Sequence, residues 1–307
     1  MFEDLKELLK HKQFATLKEA EDFFRNYNEN YNSTPVTDLG GLSPIQMGKL
    51  IYNSFNTPDS PVVFNKNISG PELSTAIFYQ DCKKIISLFQ ECSPVKTTAT
   101  GNLTRDFVHK AMDVVNYDTT ILRKFCKTIN ELEFFWLHQI RIILTLAELV
   151  TKRGKFFLLT QKGKSILTTA PGELYYLLFE TYFLKFNLAY LTRFAEQFPE
   201  IQHFICFPIY IAHTQCKDWM NAEEFVNTVL VKGLRLNIKH KDFLAKPYMS
   251  DKLVWVGMSR IVNPLYHFGL LEKQSKADNY YVSDKDYIRR TPLLEKFINF
   301  SFAKGQH

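Results

Sequence analysis

The sequence predicts a mainly α-helical fold with a minor β component, multi-helical, with two winged-helix-like units that each carry a short β-hairpin. Three observations predict it. Apolar residues recur at helical spacing through most of the chain. The stretch from Glu131 to Leu167 passes from an apolar helix into a strand, a tight basic turn at Lys152-Arg153-Gly154-Lys155, a second strand, and a new helix opened by Thr160 with Gly163 in its first turn. A looser copy spans Val256 to Ile298. Its helix ends at His267-Phe268-Gly269, runs into Leu270-Leu271-Glu272-Lys273, turns at Ala277-Asp278-Asn279 and returns as Tyr280-Tyr281-Val282.

Taken in order, the elements divide the chain into a helical N-terminal region (1–117), a first winged-helix-like unit with an aromatic helical segment (118–200), and a C-terminal helical region holding the second unit (201–307). Leu5, Leu8 and Leu9 share a helical face, and Leu17 to Phe24 repeat the pattern behind Thr16, a residue suited to an N-cap. Ser43 and Pro44 open the next helix, the first as a cap and the second in the first turn, where its missing N–H costs nothing. Pro61-Val62-Val63-Phe64 reads as extended, Pro71 to Cys92 as helix, Lys96 to Leu103 as a short strand and turn, and Phe107, Ala111 and Val114 as the next helix. The run Tyr175, Tyr176, Phe179, Tyr182, Phe183, Phe186 and Tyr190 has helical spacing and is expected to pack in a core rather than to stack on bases. Aligned on their hairpins, the two units place Glu148 opposite Gly269, at the point where a helix commonly ends in a left-handed residue.

Composition excludes several classes. With 46% hydrophobic and 15% aromatic residues and 12 each of Gly and Pro in 307 residues, the chain can bury sizeable cores and is not of disordered or low-complexity type. The opening residues mix acids and bases, and the longest apolar stretch, near Phe204 to Ala212, is far short of the ~20 residues that span a bilayer. A cytoplasmic, membrane-free protein is expected. Five scattered cysteines without a CxxC fit reduced thiols. The net charge of +6 is mildly basic, well below the balance of a strongly cationic nucleic-acid binder.

Three short motifs stand out: Gly41-Leu42-Ser43-Pro44-x-Gln46-Met47, Thr98-x-Thr100-Gly101-Asn102-Leu103 and Leu159-Thr160-x-x-Gly163. Together they resemble those of a widespread group of uncharacterised bacterial proteins related to plasmid ORF-3-type and SEC-C-associated proteins. The resemblance covers roughly residues 25 to 175 and implies no activity, cofactor or catalytic residue.

Candidate chemistry is sparse. His203, Cys206, His213 and Cys216 have donors suited to zinc, but they lie in an apolar stretch where buried helix is the stronger reading, so no metal is expected. Nucleophile elbows, phosphate-binding glycine loops and HExxH are missing, and Glu131/Glu133 and Glu223/Glu224 read as ordinary helix-start acids. No catalytic residue and no cofactor is expected. In a winged helix the helix before the hairpin enters the major groove. Here the first unit would present Glu131, Glu133, Trp136, His138, Gln139 and Arg141, whose leading acids would repel phosphate, and the second Lys252, Trp255, Arg260, Asn263 and His267. The candidate nucleic-acid contacts are Lys152, Arg153, Lys155, Lys162, Lys164, Arg260, Lys273 and Lys276. Arg289-Arg290 and a run from Lys232 to Lys246 add further positive charge. The sequence thus points to a binding protein, either DNA-associated through its wings or a protein-interaction scaffold that uses the units for packing.

Overall fold

The computed structural model describes residues 2–10, 12–52, 55, 57–192, 198–234, 248–275 and 280–302. Among these residues the fold is mainly α, with three small antiparallel sheets. Helices α1 (Phe2–Leu9), α2 (Leu17–Ser33) and α3 (Pro44–Tyr52) lead, followed by strand β1 (Val62–Phe64). Thr16 caps α2 by accepting the Glu19 N–H at 3.1 Å. At α3, Ser43 Oγ accepts from Gln46 N while Gln46 Oε1 accepts from Ser43 N at 2.9 Å, a reciprocal pair that satisfies two amides at the helix start. Leu42 and Met47 are buried on either side of this cap, which gives the first motif a structural role.

The next stretch runs α4 (Ile77–Cys92), β2 (Val95–Lys96), α5 (Arg105–Val114), the short α6 (Thr120–Phe125), α7 (Phe135–Leu146), β3 (Val150–Arg153) and β4 (Phe156–Leu159). The sheet order is β2-β4-β3. Thr98-x-Thr100-Gly101-Asn102-Leu103 forms the turn after β2: Thr98 Oγ1 accepts from Asn102 N at 3.0 Å and Thr97 bridges Leu103. Because β2 pairs with β4, one sheet crosses the expected 117/118 boundary. Helices α8 (Gln161–Ile166) and α9 (Pro171–Glu180) follow, α9 continuing through a π turn at Thr181–Lys185.

The C-terminal part repeats this order: α10 (Cys206–Gln215), β5 (Met220–Asn221), α11 (Ala222–Val226), α12 (Tyr248–Gly257) extended by a π turn (Met258–Val262) into α13 (Asn263–His267), then β6 (Leu271–Gln274), β7 (Tyr287–Arg290) and α14 (Pro292–Phe297). Its sheet order, β5-β7-β6, matches the first. Strand β8 (Ile298–Phe300) then pairs with β1, tying the end of the chain to its N-terminal region.

The correspondence extends to single bonds. Glu148 (φ 62°) and Gly269 (φ 72°) both take the left-handed conformation after the third helix. Thr160 donates its hydroxyl to Glu148 O at 2.8 Å and caps the following helix through Gly163 N. Thr291 does the same to Gly269 O at 2.6 Å and to Leu294 N. The second hairpin departs from expectation, however. The return strand is Tyr287–Arg290, not Tyr280-Tyr281-Val282, and the expected turn at 277–279 lies outside the described residues. Val282 is instead buried in the connection, its backbone held on both sides by the Asn263 carboxamide (N–H to Oδ1 2.7 Å, Nδ2 to O 3.2 Å).

A continuous core runs through both units and α9. Phe268, which follows the third helix of the second unit, meets Phe78 of the first (5.1 Å between centroids) and Phe179, Tyr182 and Phe183 of the α9 segment. Tyr175 adds a hydroxyl bond to Phe268 O at 2.7 Å. The aromatic run is therefore core, as its spacing predicts, except for Tyr190, which is half exposed.

Candidate functional site

The two helices that would read a DNA groove are enclosed. In α7, Trp136, Leu137, His138, Gln139, Ile140, Ile143 and Leu144 are all buried. In the second unit, Leu253, Val254, Val256, Met258, Ile261, Val262, Asn263 and His267 are buried. The helices meet each other: the Trp136 indole stands edge-on to the His267 ring at 4.9 Å and to Tyr280 at 5.4 Å. Arg260, expected to contact phosphate, is 1% exposed. It bonds Phe198 O at 3.0 Å and Thr192 Oγ1 at 2.8 Å, so it cannot reach a nucleic acid from this position.

The leading acids of α7 also differ from expectation. Glu131 faces inward, fully buried, and accepts from Leu103 N, Arg141 Nε and His138 Nδ1, the last at 2.6 Å. His138 Nε2 lies 2.8 Å from the Tyr190 hydroxyl. Burial pushes the Glu131 carboxyl up, but the His138 bond, the Arg141 charge and the Leu103 amide outweigh it and hold the group below the usual carboxylate range. Glu131 is thus a buried, compensated carboxylate joining the β2–α5 turn to α7, and it presents no charge to a phosphate. Glu133 remains at the surface, where it accepts from Asn130 N.

A second buried carboxylate, Asp81 on α4, accepts from Asn116 N (2.7 Å), Tyr117 N (3.2 Å) and Trp136 Nε1 (2.9 Å). Burial raises its pKa against these three donors. Neither carboxylate was marked by its sequence context as a hub. The one signal was the His138/Arg141 pair at helical spacing downstream of Glu131.

The two hairpins differ in what they leave open. On the first hairpin Lys152, Arg153 and Lys155 are exposed and, among the described residues, form no ion pair. Lys164 is exposed one turn into α8. Lys162 is committed to the carbonyl of Ala147 at the end of α7 (2.9 Å), with Glu148 at 3.9 Å. On the second hairpin the cations are engaged. Lys273 donates to Tyr281 O at 3.1 Å, Arg289 pairs with Glu272 at 2.8 Å and lies over Trp219, and Arg290 binds His213 O and Glu295. Lys276 and 235–247 of the further basic run lie outside the described residues, while Lys232 is exposed.

The possible zinc ligands are not brought together. Cys206 and Cys216 bracket α10, about 15 Å apart at the helical rise of ~1.5 Å per residue. His203 is exposed ahead of that helix, and burial pushes the Cys216 thiol up to about 12. Among the described residues no group of three or more His, Cys, Asp or Glu is placed to hold a metal. All five cysteines are free.

Residues 74–173 match one protein family, described as Y4jL N-terminal domain. That span begins just before α4 and ends in the first turn of α9, so it coincides with the first of the two repeated units. It includes the second and third motifs but not Gly41 to Met47, and it covers 100 of 307 residues. No curated protein and no solved structure matches the chain. No helix of the described residues is long and apolar enough to cross a membrane.

Proposed function

We propose that both repeated units are winged helices, that they are locked together through the helices that would otherwise read DNA, and that the chain is a non-enzymatic binding protein in which the winged helices serve as packing modules of an interaction scaffold. The order helix, strand, helix, helix, hairpin, with the first strand beside the last, supports the architectural reading in both units. The burial of α7 and of α12–α13 carries the functional one. A recognition helix must lay side chains against base edges, and here those side chains are packed against each other and against α9.

A second reading has one observation in its favour, the open basic edge of the first wing. Lys152, Arg153 and Lys155 would give sequence-neutral, salt-dependent contacts to phosphates without any base readout. Selection of duplexes from a random-sequence pool tests the proposal. No enriched motif is expected. Any residual affinity should lose roughly 0.9 of its log-log salt slope for each phosphate contact removed by reversing charge at Lys152, Arg153 and Lys155. Enrichment of a defined base sequence would overturn the scaffold reading.

A further inference from the structure

A recess enters the seam between the two units beside their packed helices. An inner chamber of about 210 Å³ opens where α7 faces α13, and among its walls are Trp136, Gln139, Tyr182 and His267. It adjoins an outer chamber of about 710 Å³ across three shared residues, Ser259, Asn263 and Tyr281. The outer volume is within the ~300–1,000 Å³ typical of small-molecule sites.

The two chambers differ in chemistry. The inner one is an aromatic box with two carboxamides: Gln139 is fixed by donating to the Tyr182 hydroxyl at 2.8 Å, Asn263 is held by the Val282 backbone, and Trp136 is edge-on to His267. Burial pushes the His267 pKa down to about 3, so its ring is neutral and the box carries no charge at neutral pH. Such walls favour a flat ring in offset or edge-to-face contact. The lining of the outer chamber carries charge of both signs, Lys252 with Glu223 and Asp284, and includes the half-exposed Trp255.

We propose that this seam binds a free aromatic α-amino acid, its ring in the box between α7 and α13, its carboxylate toward Lys252 and its ammonium toward Glu223 and Asp284. A ligand there touches the third helix of both units at once, so its binding stabilises their packing. An aromatic box alone would accept any flat ring, and charges of both signs in the outer chamber select one with a zwitterionic head. Gln139, Asn263 and Ser259 add neutral polar groups among the aromatic walls of the recess.

Isothermal titration of the full chain with L-tryptophan, indole and L-alanine tests this. L-tryptophan should bind at one site, indole at least about tenfold more weakly for want of a head group, and L-alanine not measurably. Ser259→Trp, which fills the wall common to both chambers, should abolish binding while leaving the circular dichroism spectrum intact. If that variant does not fold, Tyr281→Ala, at a ring 44% exposed, should weaken binding by about tenfold or more. Lys252→Glu should weaken L-tryptophan by roughly tenfold and leave indole unchanged. The proposal is overturned by a lack of L-tryptophan binding at millimolar concentration, or by undiminished binding to the folded Ser259→Trp or Tyr281→Ala variant. Equal affinities for indole and L-tryptophan with no effect of Lys252→Glu would overturn it as well.

Discussion

Glu148 occupies a backbone conformation that L-residues with a side chain disfavour by about 1–2 kcal/mol. Its counterpart Gly269 takes the same conformation without that cost and has a further reason to be glycine, since a Cβ there would lie 2.9 Å from Ala76 N. Glu148, by contrast, carries an exposed side chain. Glu148→Gly should therefore stabilise the protein by about 1 kcal/mol after the added freedom of the unfolded chain is deducted, read as a higher urea midpoint at unchanged m-value. Glu131 is the opposite case, a residue whose removal leaves others stranded. Glu131→Gln would leave Arg141 without its partner and should cost about 3 kcal/mol or more. Its folded-state pKa is depressed, so its contribution is fully present above the unfolded value of 4.5 and is lost as pH falls through the lower folded value. Acid titration of unfolding free energy should show this loss below about pH 4.5 in the parent protein and a flatter profile in Glu131→Gln. An equal acid slope in both would contradict the assigned network.

At the scale of elements, the Leu159-Thr160-x-x-Gly163 motif is a joint between hairpin and helix. A Cβ on Gly163 would sit 2.2 Å from Leu149 O and 2.7 Å from Leu159 Cδ1, so α8 can lie against the hairpin only with glycine at that point. Gly163→Ala should cost about 2 kcal/mol by thermal or urea unfolding, and a neutral effect would mean that α8 sits farther out. Elements with a local cause were legible in the sequence: the caps at Thr16, Ser43 and Thr160, the tight first hairpin, and the aromatic face of α9. The second hairpin was not. Tyr280-Tyr281-Val282 has the composition of a strand, yet Val282 fills the core between the units, while the true strand Tyr287–Arg290 reads as polar because Arg289 and Arg290 are paired with Glu272 and Glu295. Nor could periodicity show that Arg260 is buried. Its partners Thr192 and Phe198 are more than 60 residues away in the chain.

For the whole molecule, the repeat matters more than either unit alone. Two copies of one arrangement meet through their third helices, and the candidate groove-reading residues Trp136, His138, Gln139, Asn263 and His267 are core while the first hairpin stays open. The seam they form is visible only once both units are folded, because Gln139, Tyr182 and His267 come from three distant segments. The packing role proposed for both units depends on the enclosure of these helices. Hydrogen–deuterium exchange of the amides in 135–146 and 252–267, without and with excess duplex DNA, measures it directly. Both segments should exchange only with global unfolding, and DNA should leave them unchanged. Fast exchange in the free protein, or protection gained on adding DNA, would contradict that role.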